Sequence, residues 1–258
     1  MKKIKELFNY REMLFSTIRK DLSATYRRSV LGTLWIVINP ILQLLIYNIV
    51  FSEILQVEID NYIIFLASAL IPWIFFSSSV VGGARSVLNS QELVKKIYFP
   101  RMIAPISFVT TSFVTMLFSL GAVFLLVFYL GITINFHVIV YLPMIMITEY
   151  MFALGIALIT SAIMVYFRDM QFILEIITMA WQFLTPVLYS SDFVPQEFLP
   201  IWRLNPMTPI IESYRDVIYF KIAPSTQRLS FSLVIGLAGL SIGYLIFNKL
   251  QKNFAEEL

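Results

Sequence analysis

The sequence predicts an all-α integral membrane protein with six transmembrane helices, and three observations carry that expectation. Of its 258 residues, 59% are hydrophobic and 14% charged, with a mean hydropathy of +0.79. Soluble domains hold about 25% charged and 45–50% apolar residues, so the apolar excess is too large for one buried core. Apolar runs of roughly 20 residues, the length a bilayer demands, recur along the chain. Lys and Arg alternate between the intervening segments: eight precede the first run, none lies in 52–61, four lie from Arg85 to Arg101, and none lies near Gly131. The positive-inside rule then puts both ends in the cytoplasm.

Residues 1–29 read as an amphipathic interface helix. Ile4, Leu7, Phe8, Leu14, Phe15, Ile18 and Leu22 recur at helical spacing among basic residues, the pattern of a helix lying flat on an anionic membrane face. The segment lacks the apolar core and cleavage site of a secretory leader, so the first long apolar run is expected to stay as a membrane anchor. Spans are expected at 30–51, 62–81, 102–130, 136–167, 172–189 and 229–247. Glu149 in the fourth and Glu175 near the start of the fifth are acids within them. The whole, 1–258, is a single transmembrane domain, with helices one to five in 30–189, an outer segment in 190–228 and helix six in 229–250.

Two further segments do not read as spans. In 89–101, Asn89 with Glu92 resembles a capping box and Pro100 stops the turn. The result is a short charged cytoplasmic helix, which serves either to dock a partner or as a solvated connector. Residues 190–228 hold Pro195, Pro200, Pro206, Pro209 and Pro224 between apolar patches too short to span. Thr208 as N-cap with Pro209 at the first helical position would start one helix there. Two short re-entrant helices dipping into the outer leaflet would keep Phe193, Phe198, Trp202, Met207 and Ile210 from water, which requires surrounding protein or a water-filled cavity.

Absent motifs narrow the function. There is no Cys and a single His, His137, so neither disulfides nor a cysteine or histidine metal cluster is expected. No polar basic domain offers a nucleic-acid surface. The phosphate-cradling Gly-x-x-x-x-Gly-Lys-Ser/Thr, the dinucleotide Gly-x-Gly-x-x-Gly and His-Glu-x-x-His do not occur, and no catalytic residue is expected. Ion-coupled transporters carry several intramembrane ionisable groups. Here only Glu149 is deep, either as a substrate or ion contact or as an interhelical hydrogen-bond partner. Trp35, Tyr62, Trp73, Trp181 and Tyr189 suit interfacial belts, or a conduit in which sugar rings slide over aromatic faces. Gly239 and Gly243 form a small-xxx-small pattern suited to close helix packing.

Taken in order, these features resemble a known family. Arg27-Arg28-Ser29-Val30-Leu31-Gly32-Thr33-Leu34-Trp35 with Asn39-Pro40, Leu93 to Arg101, Tyr166-Phe167-Arg168-Asp169, Thr185-Pro186-Val187-Leu188-Tyr189, Leu204 to Pro209 and Phe254 to Leu258 are similar to segments of permease subunits of polysaccharide-exporting ATP-binding-cassette transporters. The O-antigen export type is nearest, with teichoic-acid and capsule export permeases close by. The resemblance covers nearly the whole chain and implies half of a transporter in the bacterial inner membrane. Two copies would pair, each with a separate ATPase subunit that holds ATP and Mg, this chain itself needing no cofactor.

The implied cargo is an undecaprenyl-diphosphate-linked polysaccharide. Glu92, Leu93, Val94, Lys95, Lys96, Tyr98, Phe99, Pro100 and Arg101 would form the coupling helix. Arg27 and Arg28 would attract the lipid diphosphate, and the five aromatics above would line the pore. Phe193, Phe198, Trp202, Arg203, Asn205, Pro206 and Tyr214 would form an outer gate. Rival expectations are an exporter of a small hydrophobic drug or lipid, or a membrane glycosyltransferase, whose paired metal-binding acids are missing.

Overall fold

The fold comes from a computed structural model that describes residues 9–24, 31–92, 99–133 and 135–257. Every regular element among them is helical. In chain order these are α1 (Arg11–Ala24), α2 (Trp35–Asn48, prolonged by a wide turn over Ile49–Ile54), α3 (Tyr62–Asn89), α4 (Ile103–Tyr129) and α5 (Leu142–Tyr166, after a single turn Phe136–Ile139). There follow α6 (Met170–Leu184), α7 (Leu199–Leu204), α8 (Met207–Arg215, prolonged over Asp216–Phe220), α9 (Thr226–Leu250) and a last turn Phe254–Glu257.

Five stretches are long and apolar enough to cross a membrane: Trp35–Ile54, Tyr62–Asn89, Ile103–Tyr129, Phe136–Tyr166 and Thr226–Asn253. The expected fifth span contains a helix of only 15 residues, α6. That is about 22 Å at 1.5 Å per residue, against a hydrocarbon core of roughly 30 Å. Thr185 ends it in an extended conformation, because the residue before a proline, here Pro186, is driven out of the helical region. Among the described residues, five helices are long and apolar enough to span, and α6 is a shorter apolar helix.

Two helix boundaries also differ from the sequence reading. α3 runs on to Asn89, which is its last residue, and the short helix expected next falls largely on residues outside the described ones. The hydroxyls of Ser86 and Ser90 bond back to carbonyls of the same helix and keep its last turns closed. α8 begins at Met207 and not after Thr208. Asn205 Oδ1 accepts the Met207 N–H at 3.0 Å, which leaves the buried Thr208 hydroxyl without a partner.

α3 is the centre of the bundle, with Phe65, Leu66, Ala67, Leu70 and Phe76 at 1% exposure or less. It packs against α2, α4, α5, α6 and α8. α5 and α9 form the closest helix pair, and glycine makes the approach possible. A Cβ on Gly243 would fall 2.3 Å from the Gly155 carbonyl oxygen, and one on Gly155 would fall 2.3 Å from the Gly239 carbonyl. Small residues let membrane helices gain packing contact that apolar lipid cannot otherwise drive. The small-residue pair read in the sequence sits at this seam.

α2 contains Pro40, whose ring nitrogen cannot bond the carbonyl four residues back. That carbonyl, on Ile36, accepts the Ser119 hydroxyl of α4 at 3.4 Å, so a neighbouring helix answers the freed group. α1 lies across α4 with Ile18 inward at 9% exposure and Phe15 outward at 67%.

Candidate functional site

α2 and α6 both rest on α3 and leave a groove of about 430 Å3 between them. Gln43 and Tyr47 of α2, Trp73 and Ser77 of α3, and Gln182 of α6 line it. Amide groups and aromatic faces together suit a ligand with hydroxyls on its edges and C–H on its faces. Beside the groove the two walls present apolar surface outward: Ile46 is 58% exposed on α2, and Ile176 is 64% exposed on α6. Behind Trp73 the rings continue inward. Phe76 lies 5.5 Å from Trp73, stacks on Phe152 at 5.5 Å and meets Trp181 edge-on at 5.1 Å.

At the Tyr189 end of the groove the chain reverses after α6, and a polar knot holds it. Arg215, at the end of α8 and 3% exposed, donates to the carbonyls of Pro186 at 2.7 Å, Val187 at 3.3 Å and Tyr189 at 3.4 Å. Its guanidinium lies 3.8 Å from the centre of the Phe65 ring. Burial lowers its pKa to about 10, with Glu212, Tyr62, Asp216 and Tyr219 opposing, so it stays cationic near neutral pH. Tyr62 donates to the Leu188 carbonyl at 2.7 Å. Asn205 is saturated: Nδ2 reaches Leu184 O at 3.0 Å and Thr185 Oγ1 at 2.9 Å, while Oδ1 also accepts the Trp181 indole N–H at 2.8 Å. Arg228 closes the base of α8 through Glu212 at 3.3 Å and through Asp216.

The five sequence-nominated aromatics thus occupy different places. Trp73 lines the groove, and Tyr62 and Trp181 hold the reversal. Tyr189 stands 5.8 Å from Trp202 and donates to Phe183 O, and Trp35 opens α2, half-buried. Of the outer group, Phe193 and Phe198 are 63% and 54% exposed, whereas Tyr214 is fully buried. Pro206 leads into α8, Trp202 Nε1 is buried without a partner, and the Arg203 side chain lies outside the described residues. Glu149 is fully buried in α5 and accepts the Tyr214 hydroxyl at 2.7 Å on Oε2. It is not among the groove residues.

At the opposite end, Glu92 is exposed and Phe99 is buried at 5%. Leu93, Val94, Lys95, Lys96 and Tyr98 lie outside the described residues, as do Arg27 and Arg28. Past Pro100, Arg101 donates to the Gln251 carbonyl and lies 5.6 Å over the Phe254 ring. Tyr166 donates to the Leu250 carbonyl at 2.8 Å, and Phe254 is fully buried. Among the described residues no three His, Cys, Asp or Glu gather as metal ligands.

The sequence reading missed Gln43, Gln182 and Arg215. The two amides carry a signal, since each is a polar side chain in a stretch that otherwise reads as membrane. Arg215 carries none, because its role depends on a chain reversal that comes from elsewhere.

Several helices of spanning length define a multi-pass membrane protein, with a groove between α2 and the shorter α6 and a capped reversal at its end. The chain belongs to the ABC-2 type transporter family, which matches residues 12–219. It is 33% identical to an O-antigen export system permease protein of Myxococcus xanthus over 99% of this chain and 98% of that one. A protein of the same name from Klebsiella pneumoniae is 32% identical, over 96% and 95%. The polysialic acid transport protein of Escherichia coli is 22% identical over 88% and 89%.

Proposed function

We propose that the chain is the membrane half of an ATP-driven exporter that moves a lipid-linked polysaccharide of the O-antigen type. The amide- and aromatic-lined groove between α2 and α6 carries the reading. A second copy, packed against the exposed apolar faces beside it, would close the groove into a conduit. The similarity to O-antigen export permeases, 33% against 22% for the polysialic acid transporter, favours this cargo over capsule. Membership in the family implies an ATPase partner, and we assign ATP and Mg to that subunit.

In this reading Glu92 to Arg101 docks the ATPase, and Arg27 with Arg28 draws in the lipid diphosphate. The segment from Phe193 to Tyr214 caps the outer end, with α7 and α8 as the re-entrant pair and both termini cytoplasmic. ATP-driven closure of the partner shifts the population between closed and open conduit by binding one state better. The decisive experiment replaces Gln43 and Gln182 with Leu together. Glycan export is expected to fall at least tenfold, with membrane level and basal ATPase activity of the assembled complex unchanged. Full export by this double variant overturns the assignment.

A further inference from the structure

Beneath α1 the bundle holds a second cleft, whose deeper part shares Ile74 and Ser78 with the groove. Its wider part, about 480 Å3, lies between α1, the end of α3 and the start of α4, with Lys20 and Asp21 on its wall. A further part of about 210 Å3 runs on toward Pro40, Ser78 and Ser119. Asp21 and Phe108 line both. The Phe108 ring lies where a side chain on Gly82 would stand, a Cβ there falling 2.1 Å from its Cζ. The wider part has the size of a small-molecule site, roughly 300–1,000 Å3.

Lys20 and Asn89 bring donors to the wall, whereas most of its hydroxyls have already given their protons away. Thr17, Ser86, Ser90 and Ser107 donate their protons to the carbonyls of Met13, Gly83, Ser86 and Ala104. Deeper in the cleft Thr115 donates likewise within α4, and Ser119 shares its proton between the Thr115 and Ile36 carbonyls. A hydroxyl has one proton and two lone pairs, so these oxygens meet a ligand as acceptors. Asp21 adds carboxylate oxygens, and burial raises its pKa while Lys20 opposes the shift. The Thr111 hydroxyl, on the deeper wall, is buried without a partner.

We propose that this cleft binds the primary ammonium headgroup of an aminophospholipid, with the ammonium among Asp21 and the hydroxyl oxygens and the phosphate at Lys20. An ammonium brings three N–H donors to these acceptors. A phosphate placed among these hydroxyls, away from Lys20, would set lone pairs against lone pairs, and a choline group has no N–H to give. The location agrees, because an amphipathic helix such as α1 lies at the headgroup level of a leaflet, where a lipid reaches the cleft sideways.

The test uses the full chain in nanodiscs of phosphatidylcholine doped with phosphatidylethanolamine or phosphatidylglycerol. Lipid retention is read by native mass spectrometry and thermal unfolding is followed alongside. Phosphatidylethanolamine is expected to be retained about tenfold over phosphatidylcholine and to raise the unfolding temperature. Asp21→Asn, and separately Ser107→Ala, which removes only an oxygen, should each reduce that preference at least threefold in protein that remains monodisperse. Equal retention of the choline lipid, preference for phosphatidylglycerol, displacement by maltohexaose, or unchanged preference in both variants overturns the proposal. Binding of free O-phosphoethanolamine without retention of the lipid overturns its assignment to a membrane component.

Discussion

Arg215 ties three carbonyls and one aromatic ring with a single guanidinium, and the geometry matters as much as the charge. A lysine keeps the cation but loses the planar fork and the stacking face. Arg215→Lys is therefore expected to leave the reversal at Pro186 to Tyr189 loose, read as faster alkylation of a cysteine placed at Val187. Arg215→Ala should cost about 3 kcal/mol in detergent unfolding, since hydrogen bonds to a charged donor contribute up to about 3 kcal/mol. Glu149 and Tyr214 form a second buried pair, with Glu149 Oε1 left over. Tyr214→Phe removes the hydrogen-bond donor to Glu149, whereas Glu149→Gln keeps an acceptor oxygen for Tyr214. The tyrosine variant should destabilise more, and the double variant less than the sum of the two. Strict additivity would show that the pair does not act as a unit.

Among elements, the α5–α9 seam is the least tolerant of added volume. Gly155→Val places methyl groups against the Gly239 backbone, which cannot yield as a flexible side chain would, and overpacking of this kind costs about 1–3 kcal/mol or more. A sharp fall in folded yield is expected, whereas Gly121→Ala, with nothing within 4 Å of its Cβ position, serves as the matched control. The seam also shows where the sequence is readable. Gly239 and Gly243 stand out at a four-residue spacing, but their partner Gly155 sits alone in an apolar run that gives no face away, because a helix apolar on every side has no stripe to read. The long helices were legible from length and composition. The shortness of α6 was written in Pro186, which hydropathy alone passes over. The real start of α8 was hidden because Thr208-Pro209 imitates a cap that Asn205 supplies from three residues earlier. Of the groove, Trp73 was visible as an aromatic, while its pairing with Gln43 and Gln182 needed the helices to be assembled.

For the whole molecule, the end bearing Arg101 and the end bearing Arg215 are fixed by different means. At the first, Arg101 and Tyr166 hold the carbonyls at the end of α9, on Gln251 and Leu250, around the buried Phe254. Phe254→Ala is expected to leave the permease in the membrane but to lower export severalfold relative to ATP hydrolysis, because the segment leaving residues 93–98 loses its anchor. Proportional loss of both activities would point to general instability instead. Pairing of two copies across the groove is open to a direct check, since the chain has no cysteine. Ile46→Cys combined with Ile176→Cys should give a disulfide-linked dimer in membranes, and its absence under oxidation would argue against that packing.

The borrowed hydrogen bond at Pro40 has a mechanical consequence. Where Ser119 grips the Ile36 carbonyl, α2 is riveted to α4 partway along its length, so that wall of the groove shifts only if its neighbour shifts with it. α6 is held by Arg85 on Glu175 and by Asn205 with Trp181, and between them its outer face, with Ile176, Ile177 and Met179, lies exposed. Under load the two walls respond unequally: one transmits displacement as a block, the other bows. Widening of the passage would then be concentrated along the exposed face of α6.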